Sequence, residues 1–180
     1  MKFKPLALRG AYEVVQERRE DPRGFFARIF CVQEFEQAGL NTLWVQMNIS
    51  HSTARGTVRG LHFQREPAAE VKLVRCIRGE VWDVIVDLRS GSESYGQYCA
   101  VTLQADSGNA IYIPKGFAHG FQTLTAEAEL QYFHSMPYAP THEGGVNPFD
   151  AALEITWPLP VVGVSDRDRV LPGFADVSAL

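Results

Sequence analysis

The stretch Glu80-Val81-Trp82-Asp83-Val84-Ile85-Val86-Asp87-Leu88-Arg89 decides the fold class. In an extended chain Trp82, Val84, Val86 and Leu88 fall on one side, and Asp83, Asp87 and Arg89 fall on the other. Such period-two alternation marks a β-strand, and Ser90-Gly91-Ser92 ends it. Shorter runs of the same kind predict strands over 43–50, 71–77, 97–103, 110–113 and 128–134, with Arg78-Gly79 and Ser107-Gly108-Asn109 as turns. Strands and turns at this spacing point to an all-β sandwich or barrel. Helix signals are sparse: Val32-Gln33-Glu34-Phe35-Glu36-Gln37-Ala38, closed by Gly39, predicts one short helix. Beyond Pro137, the prolines at 140, 148, 158, 160 and 172 exclude a long regular element and predict a tail that wraps the barrel and supplies loops.

The chain has 180 residues, a length at which one domain spanning 1–180 is expected. A hydrophobic share of 46%, a charged share of 21% and a net charge of −4 argue against a disordered, fibrous or membrane protein. The mild acidity also argues against a nucleic-acid binder, which needs a basic face. Cys31, Cys76 and Cys99 are widely spaced and form no Cys-x-x-Cys pair, so they read as buried thiols in a reducing cytoplasm. Met1 to Arg9 has too short an apolar run for a signal peptide, and no stretch is long enough to span a membrane.

Three segments carry candidate chemistry. In Val45-Gln46-Met47-Asn48-Ile49-Ser50, strict alternation puts Gln46, Asn48 and Ser50 on one face, which fits a polar barrel interior and equally a surface strand facing solvent. Arg55-Gly56-Thr57-Val58-Arg59-Gly60-Leu61-His62-Phe63-Gln64 gathers Arg59, His62 and Gln64 around two glycines that permit close backbone approach. Pro114-Lys115-Gly116-Phe117-Ala118-His119-Gly120-Phe121 follows an apolar strand and presents His119 where a tight turn re-enters the sheet. The last two segments resemble the paired motifs of the cupin superfamily, small barrels that often hold a metal through three histidines and a glutamate. Here His62-Phe63-Gln64 replaces the His-x-His of the metal binders, and two imidazoles, His62 and His119, do not make a metal site. No metal and no cofactor are expected.

A more specific resemblance runs nearly end to end. It is carried by Asp21-Pro22-Arg23-Gly24-Phe25-Phe26, Arg59 to Gln64, Lys72-Leu73-Val74-Arg75-Cys76, Val84 to Arg89, Ile113 to Phe121, Tyr138-Ala139-Pro140, Trp157-Pro158 and Ser165-Asp166-Arg167-Asp168. These motifs, in this order, resemble the dTDP-4-dehydrorhamnose 3,5-epimerase family, metal-free cupins of deoxysugar biosynthesis. The resemblance implies a cupin-type jelly-roll β-barrel acting on a nucleotide-diphosphate sugar. It also implies a homodimer whose N-terminal strands extend into the partner's sheet.

The family's reaction inverts carbons beside a ketone, which requires a base on one side and an acid on the other. By resemblance, His62 is the base, Asp168 the carboxylate paired with it, Lys72 the cation that stabilises the enolate, and Tyr132 the acid. The resemblance assigns Arg23 and Arg59 to the diphosphate, where a planar guanidinium suits phosphate oxygens. It adds Gln46, Asn48, His119 and Glu143 to the contact shell, Tyr138 to stacking on the base, and Arg167 at a position commonly lysine. The chain departs from the family's wording at Arg28 and Met47, each in place of an acidic residue, and over 143–150. These departures leave open inversion of one carbon only, or a GDP- or CDP-linked sugar. The readings from other classes are a metal-dependent cupin oxygenase or isomerase and a catalytically silent sugar-nucleotide-binding barrel.

Overall fold

A computed structural model describes residues 1–180 and contains thirteen strands. They are β1 (Lys2–Pro5), β2 (Tyr12–Val15), β3 (Arg18–Asp21), β4 (Gly24–Ala27), β5 (Gln46–Ser52), β6 (Val58–Gln64), β7 (Lys72–Arg78), β8 (Glu80–Asp87), β9 (Tyr98–Gln104), β10 (Ala110–Ile113), β11 (Phe117–Thr123), β12 (Ala128–His134) and β13 (Glu143–Gly145). One sheet has the order β1-β2-β10-β7-β12-β5 and the other β13-β6-β11-β8-β9, while β3 and β4 form a separate hairpin. Neighbouring strands pair antiparallel, and the two sheets face each other as a double-sheet jelly roll. No helix is long and apolar enough to cross a membrane.

Both sheets are covered over much of their outer faces, although edge strand β5 leaves Met47 and Ile49 exposed. Val81 and Ile85 of β8 pack between the sheets with Val74, Cys76, Ile111, Phe121 and Leu130. The opposite face of β8, with Val84 and Val86, lies under the C-terminal tail, where Trp82 and Trp157 stack edge to face at 5.4 Å. The apolar stripe of the deciding strand therefore points outward beneath the tail, and its other face, with Asp83, points into the barrel. The tail wraps as the prolines demand. Its only α-helix, α2 (Asp166–Arg169), is a single turn capped by the Ser165 hydroxyl, which accepts from the Asp168 N–H at 3.0 Å.

The outer face of the six-stranded sheet is closed by α1 (Val32–Gln37), the expected helix. It ends as its glycine predicts: Gly39, at φ 69°, donates to Glu36 O, and Leu40 donates to Phe35 O at 2.9 Å. Phe35 is fully buried and meets Phe3 and Phe30 edge-on at 5.1 and 4.9 Å.

Seven strands lie outside the expected runs: β1 to β4, β6, β11 and β13. β6 and β11 were legible only as glycine-containing clusters, with His119 expected at a tight turn, yet both are seven-residue strands. All seven residues of β11 are buried, so no polar face exists to reveal the period. Among the thiols, Cys76 is buried, but Cys31 and Cys99 are only half-buried. Strands β1 and β2 lie in the sheet of their own chain.

Truncating Phe35 removes the contact that seals α1 to the sheet. Phe35→Ala is expected to cost about 3–5 kcal/mol in urea denaturation, and a loss below about 1 kcal/mol would show that α1 does not close this face.

Candidate active site

The register of β6 and β11 sets the geometry of the site. His62 and His119 are direct partners across the ladder, and a bulge follows between His119 and Phe121. Gly60 permits this pairing. Its φ is 111°, and a Cβ there would stand 2.7 Å from both the Gly120 Cα and the His119 carbonyl oxygen.

Each histidine then meets a carboxylate. Asp168 arrives from α2, with its Oδ1 2.7 Å from His62 Nε2 and its Oδ2 accepting the Gly60 N–H at 3.1 Å. Burial raises the Asp168 carboxyl, but the bonds from His62 and Gly60 outweigh it and hold the group below the usual carboxylate range. An ionised carboxylate only accepts, so His62 donates through Nε2, which leaves Nδ1 outside this pair. His119 Nε2 lies 2.9 Å from Asp83, which is fully buried in β8. Burial pushes the Asp83 carboxyl up despite the imidazole beside it.

Between the sheets opens a cavity of about 960 Å³. His62, His119 and Arg59 line it from the five-stranded sheet, and Lys72, Tyr132 and Asn48 face them from the six-stranded sheet. Tyr132 is strongly raised, chiefly by burial, and shares a 2.9 Å hydrogen bond with the Ser50 hydroxyl. Its phenol is therefore held protonated opposite the His62 imidazole. Arg59 donates to Ser52 Oγ at 3.0 Å and to the His51 carbonyl at 2.8 Å. At the mouth, Glu143 bridges Arg167 and the Tyr138 hydroxyl, each at 2.7 Å. Burial raises Glu143, but these two partners leave it below its ordinary value.

Ten of the twelve residues marked out in the sequence line this cavity: Asn48, Arg59, His62, Lys72, His119, Tyr132, Tyr138, Glu143, Arg167 and Asp168. Gln46 stands behind the wall, its Oε1 accepting the Tyr138 N–H at 2.9 Å. Arg23 does not reach the cavity. It sits at the tip of the β3–β4 hairpin, almost fully exposed, and closes on Asp21 at 2.7 Å. The sequence reading missed Asp83, Glu70 and His134. Asp83 sits on the minority face of β8, and His134 lies two residues beyond Tyr132 on the same face of β12, so alternation held the signal for both.

No group of three or more His, Cys, Asp or Glu side chains converges closely enough to share a metal ion. Gln64, at the second ligand position of metal-binding cupins, is spent on backbone. It donates to Ala68 O at 3.0 Å and Pro137 O at 3.3 Å, and accepts from the Ala139 N–H at 2.6 Å.

Asn at position 168 offers a single acceptor oxygen and no charge, so it can hold both Gly60 and His62 only by donating to His62 Nε2 and forcing the imidazole proton to Nδ1, and the charge-assisted bond is lost. Asp168→Asn is expected to lower stability by about 1–3 kcal/mol at pH 7. The native carboxyl is depressed, so its stabilisation is present above the unfolded value near pH ~4 and is lost as pH falls through the folded value. The gap between the two proteins in urea denaturation should therefore narrow below about pH 4, and a gap independent of pH would contradict an ionised Asp168.

Comparison with known proteins bears on the same cavity. The family model for dTDP-4-dehydrorhamnose 3,5-epimerase matches residues 5–176. A dTDP-4-dehydrorhamnose 3-epimerase of Streptomyces niveus is 41% identical over 174 residues, covering 95% of this chain and 84% of the relative. A dTDP-4-dehydrorhamnose 3,5-epimerase of Sinorhizobium fredii is 38% identical over 98% of this chain and 91% of its own. The crystal structure of a dTDP-6-deoxy-D-glucose-3,5-epimerase from Legionella pneumophila, in complex with dTDP-4-keto-L-rhamnose, superposes with a TM-score of 0.92 at 34% identity, covering 98% of this chain and 94% of that one. The fold is thus a cupin-type jelly roll, and the chain belongs to the dTDP-4-dehydrorhamnose 3,5-epimerase family.

Proposed function

We propose that the protein is an isomerase that inverts C3 and C5 of a dTDP-linked 4-keto-6-deoxyhexose, with residues 1–180 acting as one cytoplasmic enzyme domain. The observation that supports this reading is that the His62 imidazole and the Tyr132 phenol line the cavity from facing sheets. His62 Nδ1, oriented by Asp168, takes the proton α to the ketone, and Asp168 stabilises the imidazolium that forms. The electron pair of the broken C–H bond moves into the enolate, whose oxygen is met by the Lys72 ammonium. Tyr132, kept protonated by burial, returns a proton from the opposite side. The carbonyl re-forms with the carbon inverted, solvent takes the proton from His62 and returns one to Tyr132, and the same exchange at the second carbon completes the reaction.

The rest of the cavity suits a nucleoside diphosphate. Arg59 and His119 face the diphosphate from one wall and Asn48 from the other, with Gln46 behind Asn48 holding it through a hydrogen bond to its Oδ1. Tyr138, exposed at the mouth, offers its ring to the base, and Glu143 and Arg167 hold that ring in place. The charge missing from this set is that of Arg23. The β3–β4 hairpin belongs to neither sheet, exposes Phe25 (54%) and Phe26 (73%), and stands ready to meet the edge strand β5, where Met47 (59%) and Ile49 (65%) are also exposed. A homodimer that exchanges N-terminal segments would bury these side chains and carry Arg23 into the partner's pocket.

In deuterated water with dTDP-4-keto-6-deoxyglucose, the protein should exchange deuterium into C3 and C5, followed by NMR. His62→Ala should slow both exchanges by about 10²–10⁴-fold. Exchange at one carbon would make it a single-carbon epimerase, and no exchange would refute the activity. Sedimentation should show a dimer, and Arg23→Ala should raise KM about 10- to 100-fold, the loss of a charged hydrogen-bond set to phosphate. A monomer, or an unchanged KM, would refute the exchanged hairpin.

A further inference from the structure

Two groups in the cavity wall have no part in the steps above. Glu70 immediately precedes the Val71-Lys72 entry to β7, and its side chain is only 8% exposed. One oxygen lies 3.2 Å from Lys72 Nζ and the other 2.7 Å from His134 Nδ1. Burial raises this carboxyl, but its two partners prevail and leave it below the ordinary carboxylate value. Glu70 is therefore an anion in the wall of a pocket suited to a diphosphate, where it repels the ligand it lines. Such a charge is accounted for if it serves a cation of the wall instead.

The hydrogen-bond directions show how far this service extends. The Tyr138 N–H can only donate, so the amide oxygen of Gln46 faces it at 2.9 Å. Gln46 Nε2 then donates to Asn48 Oδ1 at 3.3 Å, which turns Asn48 Nδ2 towards His134 Nε2 at 3.4 Å. His134 accepts there, so its proton is on Nδ1 and is donated to Glu70. The His134 ring also lies nearly parallel to Tyr132, with centroids 6.0 Å apart and planes at 18°. One directed chain thus runs from the backbone at the cavity mouth to Glu70, whose other oxygen is met by the Lys72 ammonium.

We propose that Glu70, oriented by His134, is a positioning residue for Lys72, and that the chain through Asn48 and Gln46 ties the ammonium to the Tyr138 segment at the mouth. An ammonium has three N–H donors, so one bond to Glu70 leaves two for a developing enolate oxygen. The inference rests on the role given to Lys72 above. Glu70 touches no reacting atom and acts only through its partner.

A double-mutant cycle tests it, with kcat and KM read from deuterium exchange into the keto sugar. Glu70→Gln should lower kcat about 10- to 100-fold with KM within about twofold, short of the loss from removing an oxyanion donor itself. Added to Lys72→Ala, the same substitution should change the remaining rate by less than about twofold, because its route of action is gone. An unchanged kcat, a rise in KM alone, or the full loss repeated on Lys72→Ala would overturn the proposal. If Glu70→Gln does not fold, the cycle of His134→Ala with Lys72→Ala carries the same expectations and the same refutations. Absence of exchange by the unmodified protein would instead refute the activity, and the assignment of Glu70 with it.

Discussion

A charge taken out of water must find a partner, and the site is built around that requirement. Asp168 is held by His62 and the Gly60 amide, Asp83 by His119, and Glu70 by Lys72 and His134. An unpaired ion at any of these places would cost several kcal/mol, whereas a paired one holds its partner in a single orientation. The pairs therefore pre-organise the cavity. Each imidazole has one nitrogen committed to a carboxylate, so the tautomers are decided before any ligand arrives.

The barrel supplies two walls that do different chemistry. One sheet carries His62 and His119, and the other carries Lys72, Tyr132 and His134. Proton removal and proton return on opposite sides of a planar enolate need this separation, which a site assembled on one loop would not hold. Further along the same interior, Val74, Ile85, Leu103 and Phe121 fill the space with an ordinary apolar core. That core fixes the spacing of the sheets and lets the neighbouring cavity stay open.

Legibility followed periodicity. β8 and β12 were visible because one face differs in polarity from the other, β10 because it is a short apolar run that follows the Ser107-Gly108-Asn109 turn, and α1 because Gly39 ends it. β6 and β11 were not, because they are buried on both sides and their glycines look like turns. The tail helix α2 was hidden by its single-turn length, although it brings Asp168 to His62 across 106 residues of chain. The departure at Met47 acquires a place in the fold: it lies on the exposed outer face of edge strand β5. For Arg28 the structure shows an ion pair with Glu34 of α1 at 2.5 Å, which stitches the hairpin's exit to the helix.

By itself, the sequence determined the all-β class, the single long-lived helix signal, the proline-bound tail and the residue types needed for proton transfer beside a ketone. These follow from local rules: a strand's period, a cap's glycine, proline's missing donor, and the pKa range of each side chain. Tertiary structure alone decided which face of β8 turns inward, which nitrogen of His62, His119 and His134 meets a carboxylate, and that Glu70 and His134 belong to the site. It also placed Arg23 outside its own chain's cavity. Those outcomes depend on strand register and sheet packing, which bring together residues far apart in the chain, and no local pattern encodes the partner a buried charge will find.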